Sequence, residues 1–383
     1  MPGSGRSFGL ETVKYWLYHP IMPLTIPDAA IRPVKRRGTR LKSFAKGQPV
    51  LLIRWLALGA VLLAILSCGR PAAGIVGSST PATSPRLASP STSPLARPEA
   101  RQGGILVKDP GTGHLLLVGG IGADGARITG TWSWDGKQWT QLNIRSEGIQ
   151  AAFLDPQLNR VLALQLAGQS LSTTSWSGAW GSLNSAHAPP PMVFGSGYAV
   201  FNPNTNTALY CGIHEGLATQ SPGLEVWIWN GNDWLLQGGS APFKRDRYAL
   251  AYDPVTKADL LFGGEPGGGP TPLFGDTWSW NGSSWTQLKP AHRPATGAAY
   301  ATFDEQLNAL VLLDWEGNLW SWTGSDWNAI PTSGSGPGAY LSDAAFGYDA
   351  VSRGILVFGG ATADSAASSA TWLWVGAAWT RLT

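Results

Sequence analysis

From about residue 101 onward, one two-part pattern occurs six times along this chain. Its first part is a turn residue placed before proline or the counterpart of that proline: Asp109, Asp155, Asn202, Asp253, Asp304 and Asp349. Its second part is a cluster of tryptophans: Trp132/Trp134/Trp139, Trp176/Trp180, Trp227/Trp229/Trp234, Trp278/Trp280/Trp285, Trp320/Trp322/Trp327 and Trp372/Trp374/Trp379. The turn marks lie 46, 47, 51, 51 and 45 residues apart. A repeat of this length is one supersecondary unit that buries its apolar face only against its neighbours.

Each part has a mechanical reading. Asp closes a tight turn with its side chain, Pro presets φ, and a residue suited to positive φ follows at Gly113, Asn159, Asn206 and Asn308. This turn joins strands a and b of a blade. Asp135-Gly136, Asn230-Gly231 and Asn281-Gly282 mark a second hairpin, which joins strands c and d. Side chains alternate along a strand, so Trp278 and Trp280 share one face and Trp285 falls on the same face from the opposite strand. Three tryptophans per unit make an apolar surface that a single four-stranded sheet cannot cover, since each ring system carries about 150–250 Å². The second unit is the most worn, with Thr174 in place of the first Trp and one residue missing before Trp180.

The pairs Gly119-Gly120, Gly263-Gly264 and Gly359-Gly360, each followed by downstream aromatics, resemble the Kelch family and the wider galactose-oxidase-like propellers over residues 101–383. The resemblance implies an all-β, six-bladed β-propeller of Kelch-like type, with four antiparallel strands per blade around a central axis. Repeats two and five lack the Gly pair, and repeat three has Cys211-Gly212.

Composition agrees with an all-β chain: Gly 49, Pro 28 and Trp 20 stand beside only 13% charged residues. The net charge of +3 is unevenly spread. Residues 1–54 hold ten of the 27 Lys/Arg and two of the 24 Asp/Glu, leaving 17 basic against 22 acidic side chains beyond Arg54. An acidic domain of this kind does not call for nucleic acid.

The basic stretch ends at the apolar run 55–67, Trp-Leu-Ala-Leu-Gly-Ala-Val-Leu-Leu-Ala-Ile-Leu-Ser, followed by Cys68. Thirteen residues fall short of the ~20 that span a bilayer. A positive flank, a short apolar core and small residues after it read as a signal peptide. Residues 1–68 are therefore the signal segment, with 50–67 its core, and 1–49 point to a translation start farther downstream. Ile65-Leu66-Ser67-Cys68 resembles a bacterial lipobox, which implies lipidation of Cys68 and an extracytoplasmic, membrane-anchored protein; a secreted one is the alternative. Residues 69–100 contain no aromatic residue, six prolines and repeated Ser-Pro pairs, so they read as a disordered tether. Cys68 and Cys211 are the only cysteines, and neither a structural disulfide nor a Cys-based zinc site is expected.

Propeller strands alternate in direction, so the tight a–b and c–d turns share one face and the longer b–c and d–a connections share the other. The second face is the expected binding face. It carries the candidate ligand-binding residues Lys244, Arg245, Arg247, His214, Glu215, His292 and Arg293, with Trp315 as a tryptophan outside the repeated set. Arg145 is expected in a d–a loop there, and Glu215 and Glu265 could meet near the axis.

No catalytic residue, metal ligand or cofactor is assigned. The copper site implied by the galactose-oxidase likeness needs Tyr and His ligands brought together, whereas His114, His187, His214 and His292 are scattered and Tyr210 adjoins Cys211 on one strand. Ser133–Trp139 is superficially similar to a sialidase Asp-box, but Gly136 follows Asp135 at once where that motif separates them. No Ser/His/Asp set or nucleotide-binding Gly loop appears. The reading is a monomeric, extracytoplasmic binding module for an envelope or extracellular protein or glycan. The alternative is a carbohydrate-active hydrolase or oxidase built on the same face.

Overall fold

The computed structural model describes residues 97–382 apart from 147, 169, 192–197, 213–222, 238–241, 267–272 and 362–365. The signal segment, Cys68 and the tether up to residue 96 lie outside the described residues. Among the described residues twenty-four strands form six four-stranded antiparallel sheets, each from four consecutive strands of the chain. No helix occurs among the described residues. The innermost strands, a, are Ile105–Lys108, Ile149–Asp155, Tyr198–Asn202, Ala249–Asp253, Tyr300–Asp304 and Ser342–Asp349. They touch one another in ring order and line an axial channel of about 920 Å³. Blades one to six thus close into a propeller without exchanging a strand.

Both sequence markers do the work their chemistry dictates. At all six a–b turns the Asp or Asn side chain accepts the backbone N–H two residues on, at 2.8–3.2 Å. The positive-φ position holds Gly113, Asn159, Asn206 and Asn308 as expected, and also Lys257 and Arg353. In every c–d hairpin the last two tryptophans face each other across the ladder, as in Trp134↔Trp139 and Trp280↔Trp285. The worn second blade keeps this pair, Trp176↔Trp180, over a shorter loop.

The apolar core lies between blades. Six clusters of buried side chains exist, and each joins two adjacent blades. Phe153 and Leu162 of blade two pack with Trp229 and Trp234 of blade three, for example. Burying one such indole contributes about 4–6 kcal/mol gross.

A polar pattern is laid over this packing. The d-strand Trp donates its Nε1 to a c-strand Thr of the preceding blade in Trp139–Thr371, Trp234–Thr173 and Trp327–Thr277, each at 3.0 Å. Val226 and Leu319 stand where the other blades have that Thr, and the buried Nε1 atoms of Trp285 and Trp379 find no partner among the described residues. Ring closure uses the same means. Trp134 of blade one donates to Asp349 of blade six at 3.0 Å, and Gly360 N–H to the Arg101 carbonyl at 2.8 Å.

The Gly pairs directly follow strand b in blades one and four and lie near its end in blade six, before a long connection and where the next blade's backbone crosses closely. A Cβ on Gly359 would lie 2.6 Å from the Arg101 carbonyl oxygen, and Gly359 has φ 72. Blade two lacks the pair because its strands b and c form one long ladder down to Ala167↔Ser170, with no long loop to accommodate. Two boundaries move relative to the sequence reading. Arg145 ends strand d of blade one, paired with Gly130, rather than lying in a loop. Pro98 is buried and Glu99 bonds Arg101 and Trp132, so these two residues belong to the propeller rather than the tether.

One buried group breaks the repeat. Asp259, 1% exposed, stands on strand b of blade four where the other blades are apolar, and it accepts a hydrogen bond from Asn202 Nδ2 at 3.3 Å. Asn202 is also the one turn residue that is not Asp, which spares Asp259 a second buried carboxylate. Burial pushes the Asp259 carboxyl up to about 7, only partly opposed by the Asn202 bond. The folded state therefore holds a proton that the unfolded state releases near pH 4, and stability is lost as pH rises from about 4 through 7. Asp259→Asn is expected to be more stable than wild type by on the order of 2–4 kcal/mol above pH 7 and to differ little at pH 4, as read by urea unfolding at both pH values. Thr277→Val strips Trp327 Nε1 of its acceptor, and the same assay should show a loss of about 1–3 kcal/mol.

Candidate functional site

The loop-face end of the axial channel is built by three connections: residues 245–247 before blade four, 297–300 before blade five and 340–343 before blade six. They interlock through the backbone. Ala299 N–H donates to the Arg247 carbonyl at 3.0 Å, Gly264 N–H to the Gly297 carbonyl at 2.7 Å, and Asp246 and Glu265 exchange two bonds of 2.9 Å. Tyr300 Oη donates to the Leu341 carbonyl at 3.1 Å and accepts from Ala344 N–H at 3.2 Å.

Across this mouth the Arg247 guanidinium of blade four reaches Asp343 of blade six, with Nε 3.2 Å from Oδ2, and donates through Nη1 to Glu265 at 3.2 Å. Arg247 (φ 52) and Asp343 (φ 54) both hold left-handed backbone, as does Gly103 (φ 66). All three stand six residues before the turn Asp of their blades, in blades four, six and one. For a residue with a side chain this conformation costs of order 1–2 kcal/mol.

The electrostatics follow from burial. Arg247 is 34% exposed. Burial opposes its charge, but Asp343, Glu265 and Asp246 more than offset this and hold it firmly protonated. Burial raises the Asp343 carboxyl above its ordinary range, with Arg247 opposing only in part. Burial, with Glu265 and Asp343 nearby, pushes Asp246 up to about 6 against the pull of Arg247. Tyr198 and Tyr300 complete the cluster, and burial holds both phenols protonated. On the rim, Trp315 and Tyr340 form an edge-on aromatic pair with centroids 5.6 Å apart, joined by Tyr340 N–H to the Trp315 carbonyl at 2.8 Å. Tyr340 is 50% exposed and has φ 62. At the opposite mouth, Lys108 of blade one and Glu305 of the blade-five turn form an ion pair at 3.5 Å.

The sequence candidates separate into distinct places. Arg247 is in the mouth cluster and Trp315 on its rim. Arg245 is turned inward and 0% exposed: it donates to the Gly263 carbonyl at 2.9 Å and to Asp276 Oδ2 at 3.0 Å, and lies 3.9 Å over the Phe274 ring. Its counterpart Arg101 does the same with the Gly119 carbonyl and Glu99, so this Arg locks the Gly pair to its own blade. Lys244 is half-buried and Arg293 exposed. His292 clamps the next blade, its backbone N–H and its ring Nδ1 each 2.8 Å from a carboxylate oxygen of Asp326. His187 repeats this with Asp233. His214 and Glu215 lie outside the described residues, so a meeting of Glu215 with Glu265 does too.

Sequence reasoning missed Asp343, Tyr198, Tyr300 and Tyr340. Asp343 left one signal, its place six residues before Asp349, which matches Arg247 before Asp253. Tyr210 and Cys211 belong to different blade interfaces. Cys211 is buried, with its thiol pushed up to about 12 mainly by that burial. Among the described residues no three His, Cys, Asp or Glu side chains converge as metal ligands.

No family model matches the chain, and no curated protein matches it by sequence. Solved structures do. The structure of YjhT superposes with TM-score 0.52 at 14% identity, covering 75% of this chain and 99% of that one. A fucose-recognising six-bladed propeller lectin from Aleuria aurantia gives TM-score 0.50 at 13% identity, covering 75% and 96%. A gluconolactonase from Xanthomonas campestris gives 0.46 at 12%, covering 69% and 85%. At these identities the likeness is one of fold.

Each of the two neighbouring arginines holds a carboxyl of its own in place. Arg245→Met leaves Asp276 without its partner and is expected to cost about 3 kcal/mol in chemical unfolding. Arg247→Met leaves the buried Asp343 carboxyl, whose side chain is 3% exposed, without its cation and should cost about 1–3 kcal/mol in the same assay.

Proposed function

We propose that this protein is an extracytoplasmic propeller of Kelch-like type, tethered through residues 69–97 to a lipid on Cys68, that binds an envelope or extracellular protein or glycan at the loop-face mouth of its axial channel. One observation carries the reading: Arg247 and Asp343, both in left-handed backbone, meet at 3.2 Å across the channel. Strained backbone outside regular turns is a feature of ligand clamps and active sites, and Arg247 and Asp343 stand outside the a–b turns that account for Asn159, Asn206, Lys257, Asn308 and Arg353. The channel behind the pair has the volume of a small-molecule site, and its lining mixes apolar side chains with polar groups that can fix a ligand's orientation. The fold leaves the choice between binding and catalysis to the site itself.

The carbohydrate-active reading draws on one further observation. Asp246, held near 6, stands opposite Glu265, and a carboxyl tuned toward neutral pH beside a second one suits proton transfer. Substitution separates the two readings. A binding site should lose its ligand when Arg247 is replaced, while Asp246→Asn changes affinity only modestly. An enzyme should keep its ligand but lose turnover in Asp246→Asn.

The deciding experiment is affinity capture with the full chain against envelope proteins and glycans of its own cells, with Arg247→Met as the control. The expected result is a partner held by wild type and released at least tenfold faster by the variant. A partner held equally by both would move the site away from the channel mouth and refute the proposal.

A further inference from the structure

We infer that the ligand of this mouth is a saccharide whose ring is uncharged or amino-bearing, and that it stacks on the Tyr340–Trp315 rim while its hydroxyls meet Arg247, Glu265 and Asp343. The inference rests on the binding reading above and deepens it by naming the ligand class. Three features of the rim and cluster lead to it.

The first is an apolar rim beside a polar cluster. Tyr340 and Leu273 are both exposed large apolar side chains. A Cβ placed on Gly297 would lie 3.2 Å from Trp315 and 3.4 Å from Leu273, so these two side chains pack against the loop that carries Ala299 onto the Arg247 carbonyl, and Tyr340 joins them through its ring contact with Trp315. Only Leu341 and Ser342 separate Tyr340 from Asp343. A saccharide has the complementary form: one face of C–H groups suited to an aromatic ring, and a periphery of hydroxyls that both donate and accept.

The second is the kind of polar group presented. The Arg247 guanidinium offers donors only, and Glu265 and Asp343 offer acceptors. A hydroxyl placed between them satisfies both, whereas a carboxylate or phosphate ligand could use only the guanidinium. Bidentate recognition of an anion needs a free fork, and this fork is already engaged by two carboxylates.

The third is charge. Three carboxyls, those of Asp246, Glu265 and Asp343, bear on one guanidinium. An acidic sugar would add a further negative charge to a partly buried site already rich in carboxyls, and like-charge juxtaposition of that kind rejects a ligand. An amine would be favoured on the same ground.

The test is calorimetric titration of the full chain, in detergent micelles free of sugar headgroups, with cellobiose, lactose, the glucosamine dimer and a glucuronate-containing disaccharide. Saturation-transfer NMR identifies the protons in contact. Binding of at least one of the first three is expected, with the glucuronate sugar at least tenfold weaker. Loss of the stack should cost about 1.4 kcal/mol, a ~tenfold weaker affinity in Tyr340→Ala, with recovery in Tyr340→Phe and an unchanged melting temperature because the ring is exposed. Arg247→Met should abolish binding. Preference for the glucuronate sugar, or equal affinity in Tyr340→Ala, overturns the inference. If no sugar binds while a polypeptide partner is captured and lost in Arg247→Met, the saccharide inference falls and the binding reading stands. If nothing depends on Arg247, both fall.

Discussion

Everything in this propeller depends on the inability of one blade to bury its own tryptophans. A four-stranded sheet with an indole pair on its c–d hairpin exposes more apolar surface than its own strands can cover, so each blade is stable only between two others. The six core clusters are accordingly six interfaces. Ring closure is then a consequence of the same packing. Blade six presents Ala345, Leu356 and Phe358 to Trp132, Trp134 and Trp139 of blade one, and no shared strand is needed to seal the circle.

Directional bonds refine what burial enforces. A Trp–Thr bond links the blades at three interfaces, a Trp–Asp bond spans the closure, and His–Asp clamps hold the d–a connections of blades two and four to the hairpin of the following blade. Where Val226 or Leu319 replaces the Thr, the interface keeps its packing and other bonds, Asn202 to Asp259 between blades three and four and Tyr300 to the Leu341 carbonyl between blades five and six. Hydrophobic burial thus holds the blades together, and the hydrogen bonds fix their register and orientation. The same rigidity lets blades four and six hold Arg247 and Asp343 in a backbone conformation that a looser scaffold would relax.

The deviations from the repeat are informative because the repeat is so regular. Asp259 intrudes where the equivalent residues are apolar, and Asn202 replaces the usual turn Asp beside it. Trp315 and Tyr340 lie outside the tryptophan pattern and form the rim. Arg247 and Asp343 occupy one repeat position in two blades, and Gly103 shows the same backbone in a third. Two of the three have acquired a charged side chain where glycine would be the unstrained choice, and those two carry the mouth cluster.

The sequence determined the six turns, the six indole pairs and the all-β propeller they require, because these depend on local spacing and on side-chain periodicity. It also distinguished the loop face from the turn face. It did not separate Arg245 from Arg247: both are cations in one four-residue run, and only their backbone geometry sends one inward to the Gly263 carbonyl and the other across the channel. Nor did it bring Asp343 to Arg247, 96 residues away. That meeting depends on the ring, since blades four and six face each other only after blade five has been placed between them. Tertiary structure decided the site because its groups come from separate blades, and no one repeat contains enough of them to be recognised.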